Sequence, residues 1–456
     1  MSVTIQVGTA TADVSPPVGY DLGGYGDRTG PSRAQFAPLR CHVVVFDDGT
    51  RPAAIATCDL LFATYDLTRL ARLAVTTALG WEPDQVMVTA THTHSGPAAL
   101  TLAQDAGYVG QAARKIAGAI QAAYAARTAV TLTYAETSVE SISQNRRDPA
   151  GPIEPLARIL TARSATDGTV STIVSYACHA TVLEGDNLEI SPDFPGTTVD
   201  VVAQSAGGRA LYLQGCAGDI NPVWTRHDHA EAGRIGTILG LAAARAVHEA
   251  VPLGQGQRVR NLSWSEDAPA EPRGCRLVTA GPLTTAAIRV TLPRRARPPA
   301  EEADAALARA RAALQDAPSR SRELTPAVAA LEMEALYARH AYPYAVKGDD
   351  PAEQASETET TEVQVLRIGP DTAIVGIPGE PFIEIAGEIR RRSGLRNVLV
   401  AGYANEAVGY LPVSGQYALG GYEVGCARFA PEAAGLLIDG ALAALRGTGR
   451  GETTAR

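Results

Sequence analysis

Along this chain, short runs of consecutive apolar residues alternate with stretches in which apolar residues recur at helical spacing. Arg40–Phe46 (RCHVVVF) and Pro52–Cys58 (PAAIATC) predict two strands joined by the turn Asp47-Asp48-Gly49. The pattern then predicts a helix over Asp66–Leu79, a strand over Gln85–Thr91 and a long helix over Gly107–Ala126. Ser171–Ala177 and Ala210–Leu213 read as short buried strands, and Ala230–Val251 and Ala300–Leu314 as helices. The closing section repeats the alternation, with strands over Glu362–Ile368, Thr372–Ile377 and Asn397–Ala401 and a helix over Pro381–Arg392. Asn145–Pro155, Arg294–Pro299 and the polar run Lys347–Thr361 read as loops, and no internal repeat is visible. The expected fold is α/β, with mixed β-sheets and flanking helices.

Residues 253–343 are rich in Arg, Ala and Glu and read as an inserted, partly helical section. Residues 1–446 are expected to form a single catalytic domain, and 447–456 a flexible polar tail. The 456 residues carry 45% apolar and 20% charged residues, enough for a large buried core. The net charge of −9 and the lack of a basic run argue against nucleic acid and anionic membranes as partners. Lys115 and Lys347 are the only lysines, a skew toward arginine expected of a GC-rich bacterial genome, and they leave few candidates for Schiff-base chemistry. The six cysteines are dispersed, so neither a disulfide framework nor a cysteine zinc site is indicated. Met1–Val7 lacks the features of a signal peptide and no segment has the ~20 apolar residues of a membrane span, so a cytoplasmic location is expected.

The sharpest local signal is Thr91-His92-Thr93-His94-Ser95-Gly96-Pro97, just past a predicted strand. Residues two apart on a strand share a face, with Cα atoms roughly 6.5–7 Å apart, so both imidazoles can enter one cavity. Such a pair can begin a zinc site or be an ordinary polar loop. His179, after the strand Ser171–Ala177, is either a satisfied core histidine or a ligand. His227-Asp228-His229 is a second such pair, but its place before a helix favours capping. Gln214–Pro222 (QGCAGDINP) is a tight loop at a strand's carboxyl end, and Glu380 in Pro378-Gly379-Glu380-Pro381 is a helix-start carboxylate or a ligand. Tyr410, Tyr417 and Tyr422 punctuate a glycine-rich loop.

Taken together and in this order, THTHSGP, His179 with Ser191-Pro192-Asp193, the AGD-Ile-Asn-Pro loop, Pro-x-Glu380 and the three tyrosines resemble the catalytic domain of the neutral, non-lysosomal ceramidases, zinc-dependent amidases. The resemblance runs from about Val7 to Gly425. It implies Zn²⁺ held by His92, His179, Glu380 and Tyr417, with His94, Arg146 and Tyr422 on the substrate side. Asn221 stands where that family carries a serine assigned as nucleophile; its amide can donate to an oxyanion but cannot form an acyl-enzyme. Ser95 is a nearby substitute. Little chain follows Arg446, so the family's C-terminal β-domain is not expected here, nor is its lipid substrate. The expectation is a zinc hydrolase that cleaves an amide bond of a small soluble metabolite by attack of zinc-bound water. An esterase, lactonase or deacetylase, or a catalytically silent binding protein, are the alternatives. A homo-oligomer is expected only from its frequency among soluble enzymes.

Overall fold

Three β-α-β crossovers organise the computed structural model, which describes residues 3–26, 28–98, 105–250, 258–259, 268–269, 273–316, 328, 330–332, 334–335 and 356–449. The first sheet contains β1 (Gln6–Asp13), β2 (Arg40–Asp47), β3 (Pro52–Cys58), β4 (Val86–Ala90) and β5 (Thr128–Ala129), in the order β4-β3-β2-β1-β5. Helix α1 (Tyr65–Leu79) carries the chain from β3 to the parallel strand β4, and α2 (Ala106–Ala125) follows. The Thr64 side chain accepts from Leu67 N to start α1, and Gly80, in a left-handed conformation, ends it.

The second sheet contains β6 (Thr131–Ser138), β7 (Leu156–Ser164), β8 (Gly168–Tyr176), β9 (Arg209–Gln214) and β10 (Arg276–Leu277), in the order β9-β8-β7-β6-β10. Helix α3 (Asp193–Ala206) joins β8 to the parallel strand β9, and α4 (His229–Glu249) packs beside it. The third sheet has β11 (Leu283–Pro293), β12 (Thr358–Ile368), β13 (Thr372–Gly376) and β14 (Asn397–Ala401) in that order. Helix α5 (Ala300–Asp316) lies between β11 and β12 in the chain. Helix α6 (Ile383–Ser393) connects the parallel strands β13 and β14, and α7 (Ala433–Gly449) closes the described chain.

Strand periodicity explains the layering. In β2, Val44 and Phe46 face a central core shared by all three sheets, with Tyr134 and Leu160 from the second and Leu366 and Ile374 from the third. Val43 and Val45 point the other way, onto α1 and α2. The second sheet is covered likewise by α3 and α4, and the third by α6 and α7. Each fully buried aliphatic side chain contributes roughly 1.5–3 kcal/mol. The carboxyl ends of the three parallel pairs then lead into the loops that build the site, where α/β proteins place their chemistry.

The observed elements agree with the predicted ones to within a few residues, with some corrections. The strand expected over Gln85–Thr91 stops at Ala90. Part of the section read as an insertion is integral: β11 pairs with β12 over its whole length as an edge strand. Strand β12 also begins at Thr358, inside the run read as a loop; residues 347–355 of that run lie outside the described residues. Helix α7 extends to Gly449, into the stretch expected to be a tail, whose residues 450–456 are likewise not described. Strands β1, β5, β6, β7, β10 and β11 and helices α3 and α7 were not expected from the pattern.

Candidate metal centre

One loop from each crossover supplies a side chain to a common point. His92 follows β4, His179 follows β8 and Glu380 follows β13. An isolated parallel bridge between Thr93 and Ala180 fixes the first two loops side by side. The third is held by backbone bonds from Gly218 N to Pro381 O and from Glu380 N to Gly409 O, both 2.9 Å. Glycine is required on each side of this junction. A Cβ on Gly218 would lie 2.5 Å from the Glu380 carbonyl oxygen, and Gly379 has φ +64°.

His92 and His94 reach the point by a different route from the one expected. The strand has already ended, and His92 takes a left-handed backbone with φ 64°. Its N–H donates to Leu60 O at 3.0 Å, and its Nδ1 lies 2.8 Å from Leu61 O. His179 repeats the arrangement, with Nδ1 2.5 Å from Ala217 O. A carbonyl can only accept, so both Nδ1 atoms carry the proton and both Nε2 lone pairs are turned inward. There the His92 Nε2 lies 3.3 Å from Glu380 Oε2 and 3.3 Å from His94 Nε2, and the His179 Nε2 lies 3.4 Å from Glu380 Oε2. Nitrogen atoms of His92, His94 and His179 all fall within 4.8 Å of one another.

His92, His179 and Glu380 are buried and His94 is half-buried, and neither His179 Nε2 nor Glu380 Oε2 has a hydrogen-bond partner. Burial, aided by the nearby Arg146 charge, lowers the His179 pKa to about 4, so the ring is neutral at pH 7. Burial by itself disfavours the charged form of Glu380, and it takes positive charge beside the carboxylate, at the imidazoles or on an ion between them, to hold it below the usual carboxylate range. Lone pairs facing a carboxylate in a dry pocket repel one another unless a cation lies between them. This donor set fits a metal ion. His94 differs from the other two: its Nδ1 is buried without a partner, so no carbonyl fixes its tautomer.

Beside the cluster lies a second set of polar groups that are fully paired. Arg146 donates from Nε to Glu423 (2.6 Å), from Nη1 to Asn221 Oδ1 (3.3 Å) and from Nη2 to the Tyr410 hydroxyl (3.1 Å). Arg147 pairs with the other oxygen of Glu423 and donates to Gln416 Oε1 at 3.1 Å. Asp219 anchors the same wall by accepting from Ile383 N and Asn145 Nδ2, and burial raises its pKa to about 7. Arg146, Asn221 and Tyr422 line a cavity of about 540 Å³ together with Arg147, Leu419 and Glu423. The Tyr422 ring stands edge-on to Tyr410, 5.7 Å between centroids.

The ligand role expected for Tyr417 does not fit its placement. Its hydroxyl donates to Phe429 O at 2.9 Å. The tyrosine beside Glu380 is Tyr410, because Glu380-Pro381 and Tyr410-Leu411 pair in parallel with Glu380 opposite Tyr410. Equal spacing along a loop cannot show which of its tyrosines will occupy a strand position. Tyr403, whose ring lies 4.2 Å from that of His92, was not expected either; its position just after β14 was the available signal. The second H-x-H pair stays outside the centre. Asp228 caps α4 as expected, while His227 and His229 face Glu184 and Glu189. The Ser95 hydroxyl is held by Asn187 Nδ2 at 3.0 Å.

Comparison with solved structures decides the fold. The crystal structure of neutral ceramidase from Pseudomonas aeruginosa aligns over 100% of this chain and 76% of that chain, with a TM-score of 0.71 and 18% identity. A ceramidase complexed with C2 aligns over 100% of this chain and 77% of that one, again with a TM-score of 0.71, at 19% identity. The chain has a neutral-ceramidase-like fold. No family model and no curated protein sequence matches it. In this ceramidase-like frame the three histidines lie where the loops of the three crossovers meet. No helix among the described residues is long and apolar enough to cross a membrane.

Proposed function

We propose that this protein is a zinc-dependent hydrolase that cleaves an amide bond, N-acyl or peptide-like, in a small soluble molecule. The observation that carries the reading is the convergence of inward-facing, unpartnered donors. Ligands about 2.0–2.1 Å from a tetrahedral zinc stand about 3.3–3.4 Å apart. The separations of 3.3 Å from Glu380 to His92 and 3.4 Å from Glu380 to His179 match that spacing. Imidazole nitrogen and carboxylate oxygen are also donors that suit zinc.

His92, His179 and Glu380 hold the ion, with their outer hydrogen bonds fixing ring orientation. When bound, zinc supplies a Lewis acid for the substrate carbonyl and acidifies a water molecule. His94, whose tautomer is unconstrained, accepts the proton at Nε2 and delivers it to the leaving amine. Arg146 holds the Asn221 oxygen, which leaves the amide NH2 to donate to the carbonyl oxygen as it gains charge. The Tyr410 hydroxyl accepts from Arg146 and keeps its own proton for the same region. Asn221 removes serine acylation from the mechanism, so no covalent intermediate accumulates.

The test is metal content per chain in protein purified without chelator or histidine tag, followed by hydrolysis of matched N-acyl amide and ester pairs. About one zinc per chain, with amide cleavage abolished by chelation and restored by zinc, is the expected result. Protein that neither contains nor takes up zinc would overturn the reading. Cleavage of the esters alone would move the assignment to an esterase.

A further inference from the structure

Residues 402–405 form a wedge between two of the loops that carry the proposed ligands. Tyr403 N donates to Gly379 O at 2.9 Å, one residue before Glu380, and Tyr403 O accepts from Ala90 N at 3.2 Å, two residues before His92. Ala404 bridges to Thr89 and donates to Ile377 O at 3.1 Å. Asn405 N donates to Val88 O at 2.8 Å, while its Oδ1 accepts from Val88 N at 3.0 Å. This stitching holds Tyr403 and Asn405 at φ 55° and 61°, a conformation that a bulky side chain rarely adopts. Strained residues persist where their surroundings over-determine them, and Tyr403 lies against the histidines of the candidate centre.

The Tyr403 side chain is buried, and its ring is tilted 31° to that of His92 at 4.2 Å. The same ring stands perpendicular to that of His179 at 6.3 Å. Its hydroxyl has no hydrogen-bond partner, so what this residue contributes comes from its ring and backbone and not from the oxygen. The geometry points to Tyr403 as the positioning residue of the metal centre. Its backbone spaces the His92 and Glu380 loops, and its ring, together with the Leu61 carbonyl bond, sets the plane of the His92 imidazole. This inference rests on the zinc reading above.

The experiment measures zinc affinity of the full chain by competition with a chromophoric chelator, and the visible spectrum of its cobalt form. The native chain is compared with Tyr403→Phe and Tyr403→Leu. Tyr403→Phe should bind zinc and absorb as the native chain does, whereas Tyr403→Leu should lose about 10–100-fold in affinity, with altered cobalt bands. If Tyr403→Leu fails to fold, Tyr403→Asn carries the same test, because asparagine tolerates the left-handed backbone and has no ring. Native affinity and an unchanged cobalt spectrum in the ring-less variant would overturn the inference while leaving the zinc reading intact. Loss of affinity in Tyr403→Phe would also overturn it, by giving the role to the hydroxyl. A native chain that binds no zinc would remove the underlying reading, and this inference with it.

Discussion

Two buried polar clusters lie next to each other in this protein and are built on opposite principles. Around Arg146, donors meet acceptors: Glu423 receives both Arg146 and Arg147, and the remaining guanidinium nitrogens of Arg146 reach Asn221 and Tyr410. Around Glu380, lone pairs meet lone pairs, and the carbonyl bonds at the far side of His92 and His179 enforce the mismatch. The first cluster is a finished wall, stiff because all its charges are paired. The second is incomplete by construction and becomes favourable when a cation enters. Unsatisfied atoms, rather than conspicuous ones, mark the chemistry.

The comparison can be broken most sharply at Glu380. Glu380→Gln keeps the shape but removes the charge that the converging lone pairs face. Zinc per chain after dialysis should fall toward zero, and hydrolysis with it, by more than the roughly 100-fold expected from an outer-layer change. Retention of a full zinc complement would show that the three histidines suffice. Arg146→Ala probes the finished wall instead. Removing one of two partners from buried Glu423 should cost about 3 kcal/mol in chemical denaturation while leaving zinc content unchanged. Arg146→Lys should not restore activity, because an ammonium cannot span Glu423, Asn221 and Tyr410.

A pH-dependent effect lies beneath the His92 loop. Burial raises Asp59 from 3.8 to about 7, despite hydrogen bonds from Arg40 N and the Thr91 hydroxyl. The folded chain therefore keeps a proton that the unfolded chain has already released. This group's contribution to stability is full below the unfolded value and declines as pH rises toward 7. Asp59→Asn should flatten that part of the stability–pH curve, as read from urea midpoints between pH 4 and 7. An unaltered slope would locate the proton elsewhere.

Much of the candidate site was legible in the chain, for reasons that can be named. His92, His94, His179 and Glu380 all sit directly after apolar segments, and chemistry-bearing residues at strand ends in an α/β pattern are placed toward a common edge. The strand geometry invoked for His92 and His94 was nevertheless wrong, since a left-handed turn after Ala90 brings the rings to 4.9 Å. Tyr417 was singled out and Tyr410 passed over because three similar tyrosines differ only in backbone pairing, which no spacing encodes. Tyr403 was invisible for the same reason: its neighbours come from three separate crossovers. Strand β11 was hidden by its charged surroundings, being an edge strand only half covered by the sheet.

By itself the sequence determined the class of fold, through the alternation of strand and helix periods, and the chemical types available at the strand ends. Side-chain period and turn residues are local properties, and local sequence is enough to express them. Only the tertiary structure decided which of those side chains meet, which nitrogen faces inward, and which polar atoms are left without partners. Those outcomes depend on register between strands far apart in the chain, and on burial, which changes the energetics of a lone pair or a charge by removing water. A histidine is a ligand, a packing residue or a capping residue according to what the rest of the fold leaves beside it.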